Sequence, residues 1–181
     1  MEPPKRLSER VESWLSRVPG IRTYRDREHR RETDKHLREH LASRLQEARS
    51  SLSRMALDVS QRGQLDSLDK LDRLSSRIQQ MADAIRYASY RYAGVFDLDK
   101  VREEELDQLY DCDLSLIDDL EKIQAKVQEL DRDTPQEALK NRIGEADRLL
   151  DLLRQKFDRR SEFLGRLGSG VGSRDERKRS V

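Results

Sequence analysis

Leu71-Asp-Arg-Leu74-Ser-Ser-Arg-Ile78-Gln-Gln-Met81-Ala-Asp-Ala-Ile85-Arg-Tyr-Ala88-Ser-Tyr-Arg-Tyr92 sets an apolar side chain every three or four positions. Leu106, Leu109, Asp113, Leu116, Leu120, Ile123, Val127 and Leu130 repeat the step farther on. That spacing keeps side chains on one stripe of an α-helix, so each stretch predicts a helix with a single narrow seam. Between them lies Arg91-Tyr-Ala-Gly-Val-Phe-Asp-Leu-Asp-Lys100, where Gly94 suits a helix end and Asp97 or Asp99 can cap the next start. The two seams read as the legs of a long antiparallel hairpin. In such a hairpin paired positions add to a constant, and 92 with 106, 85 with 113, 78 with 120 and 71 with 127 all give 198, centred on Asp99.

The same arithmetic extends outward on both sides. Leu37, Leu41, Leu45, Ala48, Leu52, Met55 and Val59 form a seam that pairs with the first leg at sums of 126, centred on Gly63. Leu139, Ile143, Ala146, Leu150, Leu153, Phe157 and Leu164 pair with the second leg at sums of 270, centred on Thr134-Pro135. Thr134-Pro135-Gln136-Glu137 supplies a cap residue, a proline suited to the first helical position and a glutamate to close a capping box. Upstream, Leu7, Val11, Trp14, Leu15 and Val18 make a short amphipathic helix that Pro19-Gly20 ends.

The expected fold is therefore all-α: an antiparallel up-down four-helix bundle, or long coiled-coil hairpins, preceded by an amphipathic N-terminal helix. Residues 1–21 form that helix and its hinge, 22–166 the bundle with helices near 23–62, 65–93, 99–132 and 135–165, and 167–181 a disordered basic tail. A bundle completed only by a second copy of the chain is the variant of this arrangement.

Composition agrees with narrow seams. Only 34% of the 181 residues are hydrophobic and 40% are charged, too thin a supply for a thick core. The 37 basic and 36 acidic residues nearly cancel, so no overall field draws the chain to nucleic acid or anionic lipid. The charges are segregated, however. Residues 97–133 carry 14 acids against five bases, which predicts that this helix lies among basic neighbours. A single cysteine, Cys112, excludes an internal disulfide. No apolar run approaches the roughly 20 residues a bilayer span needs. Met1–Arg10 leads into an Arg- and Glu-rich segment where a signal peptide would carry its apolar stretch, so a cytoplasmic location is expected.

The candidate sites are few. His36 and His40, one turn apart, could share a metal ion, with His29 two turns away and out of reach; a solvated helix flank is the favoured reading of the pair, and no metal or cofactor is expected. Asp113 occupies a seam position, where a carboxylate is costly unless paired. It fixes the register, or lines a small pocket with Tyr110 and Cys112, or a local shift turns Cys112 inward in its place; the shift is the favoured reading. No base, orienter and nucleophile converge in the sequence, so an enzyme is not expected.

The hairpin registers gather Arg27, Arg30, Arg31, Arg86, Tyr87, Tyr90, Arg91 and Phe96 at one end, residue types that anchor protein interfaces. The leading expectation is a non-enzymatic scaffold or adaptor that binds a protein partner there. In its order of parts, an amphipathic helix, a hinge and then long charged helices, the chain resembles the phage-shock-protein-A class of coiled-coil membrane-stress proteins. The resemblance implies a peripheral membrane protein using Leu7, Val11, Trp14, Leu15 and Val18.

Overall fold

The computed structural model describes residues 7–24, 29–88, 101–130 and 134–175. Their regular structure is entirely helical: α1 Leu7–Arg17, α2 Arg30–Gln61, α3 Leu65–Arg86, α4 Glu103–Gln128 and α5 Gln136–Asp175. The seams read above are the buried faces. Leu37, Leu45 and Leu52 of α2, Leu71, Ile78 and Ile85 of α3, Leu116, Leu120 and Ile123 of α4, and Ile143, Leu150 and Leu153 of α5 join one continuous core. Each such side chain contributes about 1.5–3 kcal/mol relative to exposure.

Local chemistry sets the helix ends. Gly63, at φ +71°, follows the last residues of α2; its N–H donates to Ser60 O at 3.0 Å and the Gln64 N–H to Val59 O at 3.2 Å. This pair of reversed bonds satisfies carbonyls that a helix end would leave open. At the start of α4 the Glu105 carboxylate accepts the Arg102 N–H at 2.9 Å, so the cap lies at Arg102 and not at Asp97 or Asp99, which fall outside the described residues. Helix α5 begins at Gln136, one residue after Pro135, and runs ten residues beyond Gly165, where an end was expected. No proline interrupts this stretch, and its four glycines, Gly165, Gly168, Gly170 and Gly172, each cost a helix only about 1 kcal/mol, so the tail expected to be disordered from 167 is helical as far as Asp175.

Helix α2 also starts later than expected. The chain from Ile21 to Tyr24 is non-helical, because it turns Tyr24 into the core.

Side-chain bonds give the register. Between α2 and α3, Gln46 donates to Gln79 at 2.8 Å and Arg38 to the Arg86 carbonyl at 2.7 Å, so numbers fall along one helix as they rise along the other. Between α4 and α5, Lys126 meets Glu145 at 3.2 Å and Asp119 meets Lys156 at 2.6 Å in the same opposed sense. Both pairings stay close to the expected sums. Lys140 meets Asp66 at 3.5 Å, and Arg77 clamps Asp147 and Asp151, so α3 and α5 lie side by side in the same direction. Helix α2 likewise lies along α4, where Gln124 donates to the Arg44 carbonyl at 3.2 Å.

The central hairpin is the correction. The packed pairs are α2 with α3, α4 with α5, α2 with α4, α3 with α5 and α1 with α4; α3 with α4 is not among them. The seam quoted first therefore faces α2 and α5. Two regular seams of three-four spacing always yield a constant sum about some centre, so the value 198 carried no information about contact. The connecting segment, 87–102, is long enough for its ends to attach to helices that are not packing neighbours.

Candidate functional site

At the end of the molecule where α3 stops, charge is buried. Asp113 is completely enclosed, Cys112 only half-buried, so the carboxylate and not the thiol takes the seam. The step of four from Leu109 and three to Leu116 is kept without a shift, because a cation stands opposite. That cation is Arg160, 1% exposed, whose Nε donates to Asp113 Oδ1 at 2.6 Å.

The cluster spreads through five segments. Tyr24, from the connection after α1, donates its hydroxyl to Asp113 Oδ2 at 2.9 Å and accepts from Arg160 Nη2 at 3.1 Å. The same Nη2 lies 2.9 Å from Asp34 Oδ1 in α2, and Asp34 Oδ2 accepts from Arg38 Nε at 2.8 Å. Arg38 passes the chain on to the last carbonyl of α3, at Arg86, where a cation suits a helix C-terminus. The Tyr24 backbone is held too: its N–H donates to the Tyr110 hydroxyl at 2.8 Å and its carbonyl accepts from Arg30 Nε at 2.8 Å. Above this lies an aromatic roof, with ring centroids 5.2 Å apart for Trp14–Tyr24, 5.3 Å for Trp14–Tyr110 and 5.4 Å for Tyr24–Tyr110. Trp14 Nε1, Thr33 Oγ1 and Arg160 Nη1 are buried without a hydrogen-bonding partner among the described residues.

Electrostatics show what the cluster costs. Burial pushes the Asp113 carboxyl up, and the Arg160 guanidinium and the Tyr24 hydroxyl only partly offset it. For Arg160, burial works against the charge, but Asp113, Tyr24 and Asp34 together hold the guanidinium well above its ordinary value. Burial, then the Asp113 charge, raise the Tyr24 phenol well above the usual tyrosine range. An acid so displaced is protonated in the fold over a range where the unfolded chain has already lost its proton. Its contribution is complete below pH ~10 and falls as pH rises from there toward the folded value. Urea melts between pH 9 and 11 are therefore expected to show stability falling, with a shallower fall in Tyr24→Phe; equal slopes would contradict the assignment.

Chemically, the arrangement is a fixing device. The oxygens of Asp113 and the Nε and Nη2 donors of Arg160 contact other segments of the chain, so the cluster holds α1's connection, α2, α4 and α5 in one register. The sequence reading named Asp113, Tyr110 and Cys112 together but did not join Arg160 to them, and it did not name Tyr24, Asp34 or Arg38. The signal was present for Arg160, which continues the α5 seam Leu150, Leu153, Phe157, Arg160, Leu164 at unbroken three-four spacing.

The remaining candidates divide. Arg86 and Tyr87 are exposed, Tyr87 at 69%, and Arg31 is exposed as well. Arg30 is buried at 6% and committed to Tyr24, so it cannot serve a partner. Arg27, Tyr90, Arg91 and Phe96 lie outside the described residues. Tyr87 stands beside a groove of about 280 Å³ between α3 and α5, lined by Met81, Ala84, Tyr87, Ala88, Arg154, Phe157 and Asp158. On α1, Trp14 and Val18 are fully buried, Val11 is half-buried and Leu15 is 37% exposed; the Leu7 side chain lies outside the description. A membrane-facing stripe is thus not what α1 presents when docked. His36 and His40 are half-buried and gain no third metal-binding side chain among the described residues. Burial lowers the His40 imidazole below its ordinary value, with Arg44 and His36 adding to the effect. No protein family, curated protein or solved structure matches the chain.

Proposed function

We propose that the chain is a non-enzymatic helical scaffold: an antiparallel up-down bundle of α2 to α5, carrying α1 as a docked amphipathic helix, that holds a protein partner where α3 ends. The observation that carries this reading is Tyr87, 69% exposed beside the α3–α5 groove. Tyrosine and arginine dominate the energetics of protein interfaces, since each joins a large apolar surface to a directional polar end. Tyr87 and Arg154 provide that combination on adjacent helices.

The buried charge cluster supports the reading by making this end rigid. Arg38 grips the carbonyl of Arg86, the residue before Tyr87. An anchor presented from a fixed backbone loses less freedom on binding than one on a loose end. Peripheral membrane attachment, the other reading, requires α1 to leave α4, because Trp14 and Val18 are spent on the bundle.

The test is comparative capture. Wild type, Tyr87→Ala/Arg154→Glu and a control altered at the opposite end, Leu57→Ser, serve as baits in the same extract. A protein retained by wild type and Leu57→Ser but depleted at least tenfold with the double variant is expected; identical recovery on all three baits overturns the assignment of this end.

A further inference from the structure

Helix α1 packs chiefly on α4, and its attachment is chemically specific. Arg10 lies 2.6 Å from Asp107 and 2.8 Å from Asp111. Seven residues on, Arg17 lies 2.6 Å from Asp118 and 2.7 Å from Glu121. Trp14 drops between the two arginines onto Tyr24 and Tyr110. The receiving face is therefore an acidic rail in two pairs with an aromatic socket at its centre, and it fits a helix with cations at i and i+7 and an aromatic at i+4.

The present occupant fits it imperfectly. Three of the four rail carboxylates remain more than half exposed, so solvent and salt screen the ion pairs. The Trp14 indole N–H is buried without a partner, which works against docking. At 11 residues α1 is too short to hold its helix unaided. Its connection to the bundle passes through Pro19 and Gly20, the latter at φ +76°, beyond which Tyr24 is anchored independently of α1.

We propose that the α4 face beneath α1 is a docking seat for a basic amphipathic helix of a partner protein, and that α1 is its exchangeable intramolecular occupant. This surface is distinct from the Tyr87 groove and does not rest on it. A partner helix with phenylalanine at the socket fills it without stranding an N–H, which is an advantage over α1. The α1 of a second copy has no such advantage: it offers the same contacts and must displace a tethered competitor at high effective concentration.

Trp14 is the sole tryptophan of the chain and reports the exchange directly. The probe is a fluorescein-labelled peptide of residues 5–18 carrying Phe at position 14, so that all tryptophan emission comes from the full-length protein. Titration into wild type is expected to give saturable binding with a red shift of Trp14 emission as α1 is expelled. Affinity should rise at least tenfold in full-length Arg10→Glu/Arg17→Glu, whose own α1 is weakened, and fall back at least tenfold when Asp111→Lys/Asp118→Lys is added to that variant, because the lysines then repel the peptide and re-pair with the glutamates of α1. The arginines changed are part-buried, at 14% and 22% exposure, so far-UV circular dichroism and thermal transitions check that the bundle persists in both variants. Binding without a Trp14 shift, equal affinity for the double and quadruple variants, or equal binding of a scrambled peptide of the same charge overturns the proposal. So does a chain that sediments as a dimer and gains no peptide affinity on dilution, which would give the seat to a second copy.

Discussion

An Arg160→Met chain is expected to lose about 3–5 kcal/mol of unfolding free energy, the cost of leaving a buried charge without its partner. Methionine fills much of the volume, so the loss comes from charge and not from a cavity. Asp113 would keep only the Tyr24 hydroxyl, and Asp34 only Arg38. Desolvation raises the Asp113 carboxyl while its neighbours hold the Arg160 guanidinium well above its ordinary value, so in the intact cluster a desolvation cost opposes the mutual attraction. A second variant separates these ideas. Tyr24→Phe/Asp113→Leu/Arg160→Met removes the inner set together while leaving the Asp34–Arg38 pair in place. It should recover to within about 1–2 kcal/mol of wild type, as apolar replacements of buried ion groups often do. Urea denaturation of the three proteins measures both quantities. If the single and triple variants lose the same amount, the cluster stabilises in its own right and is not chiefly a device of register.

How far the sequence foretold this arrangement depends on which kind of information a residue carries. The seams of all four long helices were legible because apolar burial imposes periodicity, and Leu37 to Val59 or Leu139 to Leu164 have no other reason to step by three and four. The α2–α3 and α4–α5 pairings were legible because short turns force neighbours in sequence to be neighbours in space. Pairing α3 with α4 failed where that constraint lapses, across the long segment 87–102. Asp113 was visible as an anomaly, but its resolution was not, since the answer lay in Arg160, a seam residue of a different helix. Reading each seam for interruptions by charge, and then matching acidic against basic interruptions, would have joined them: positions 113 and 160 add to 273, three from the expected 270. Tyr24 could not be found this way. It sits in an irregular connection, where no period says which side chains point inward.

Trp14→Ala is expected to divide its effect between two parts of the molecule. A tryptophan buried in a continuous core costs about 3–5 kcal/mol when cut to alanine. Trp14 is fully enclosed, but the helix that bears it packs chiefly on α4. If α1 opens as a separate unit, global stability can fall only by the free energy of docking, and the remainder appears as local opening. Native-state hydrogen exchange should then show the α1 amides from Val11 to Val18 exchanging about 100-fold faster, the equivalent of some 3 kcal/mol. The urea midpoint should move less than it does for Leu45→Ala, whose side chain is equally enclosed but stands on α2, which packs against both α3 and α4. The Tyr24 amide supplies the internal control. It is bonded to the Tyr110 hydroxyl, below the aromatic roof, and the Arg160 and Asp113 contacts hold Tyr24 whether or not α1 is present. Its exchange should quicken far less than that of α1. Were α1, Tyr24 and the α4 core all to accelerate by one common factor, α1 would open only with the whole bundle, and neither a separable helix nor an exchangeable seat would survive that result.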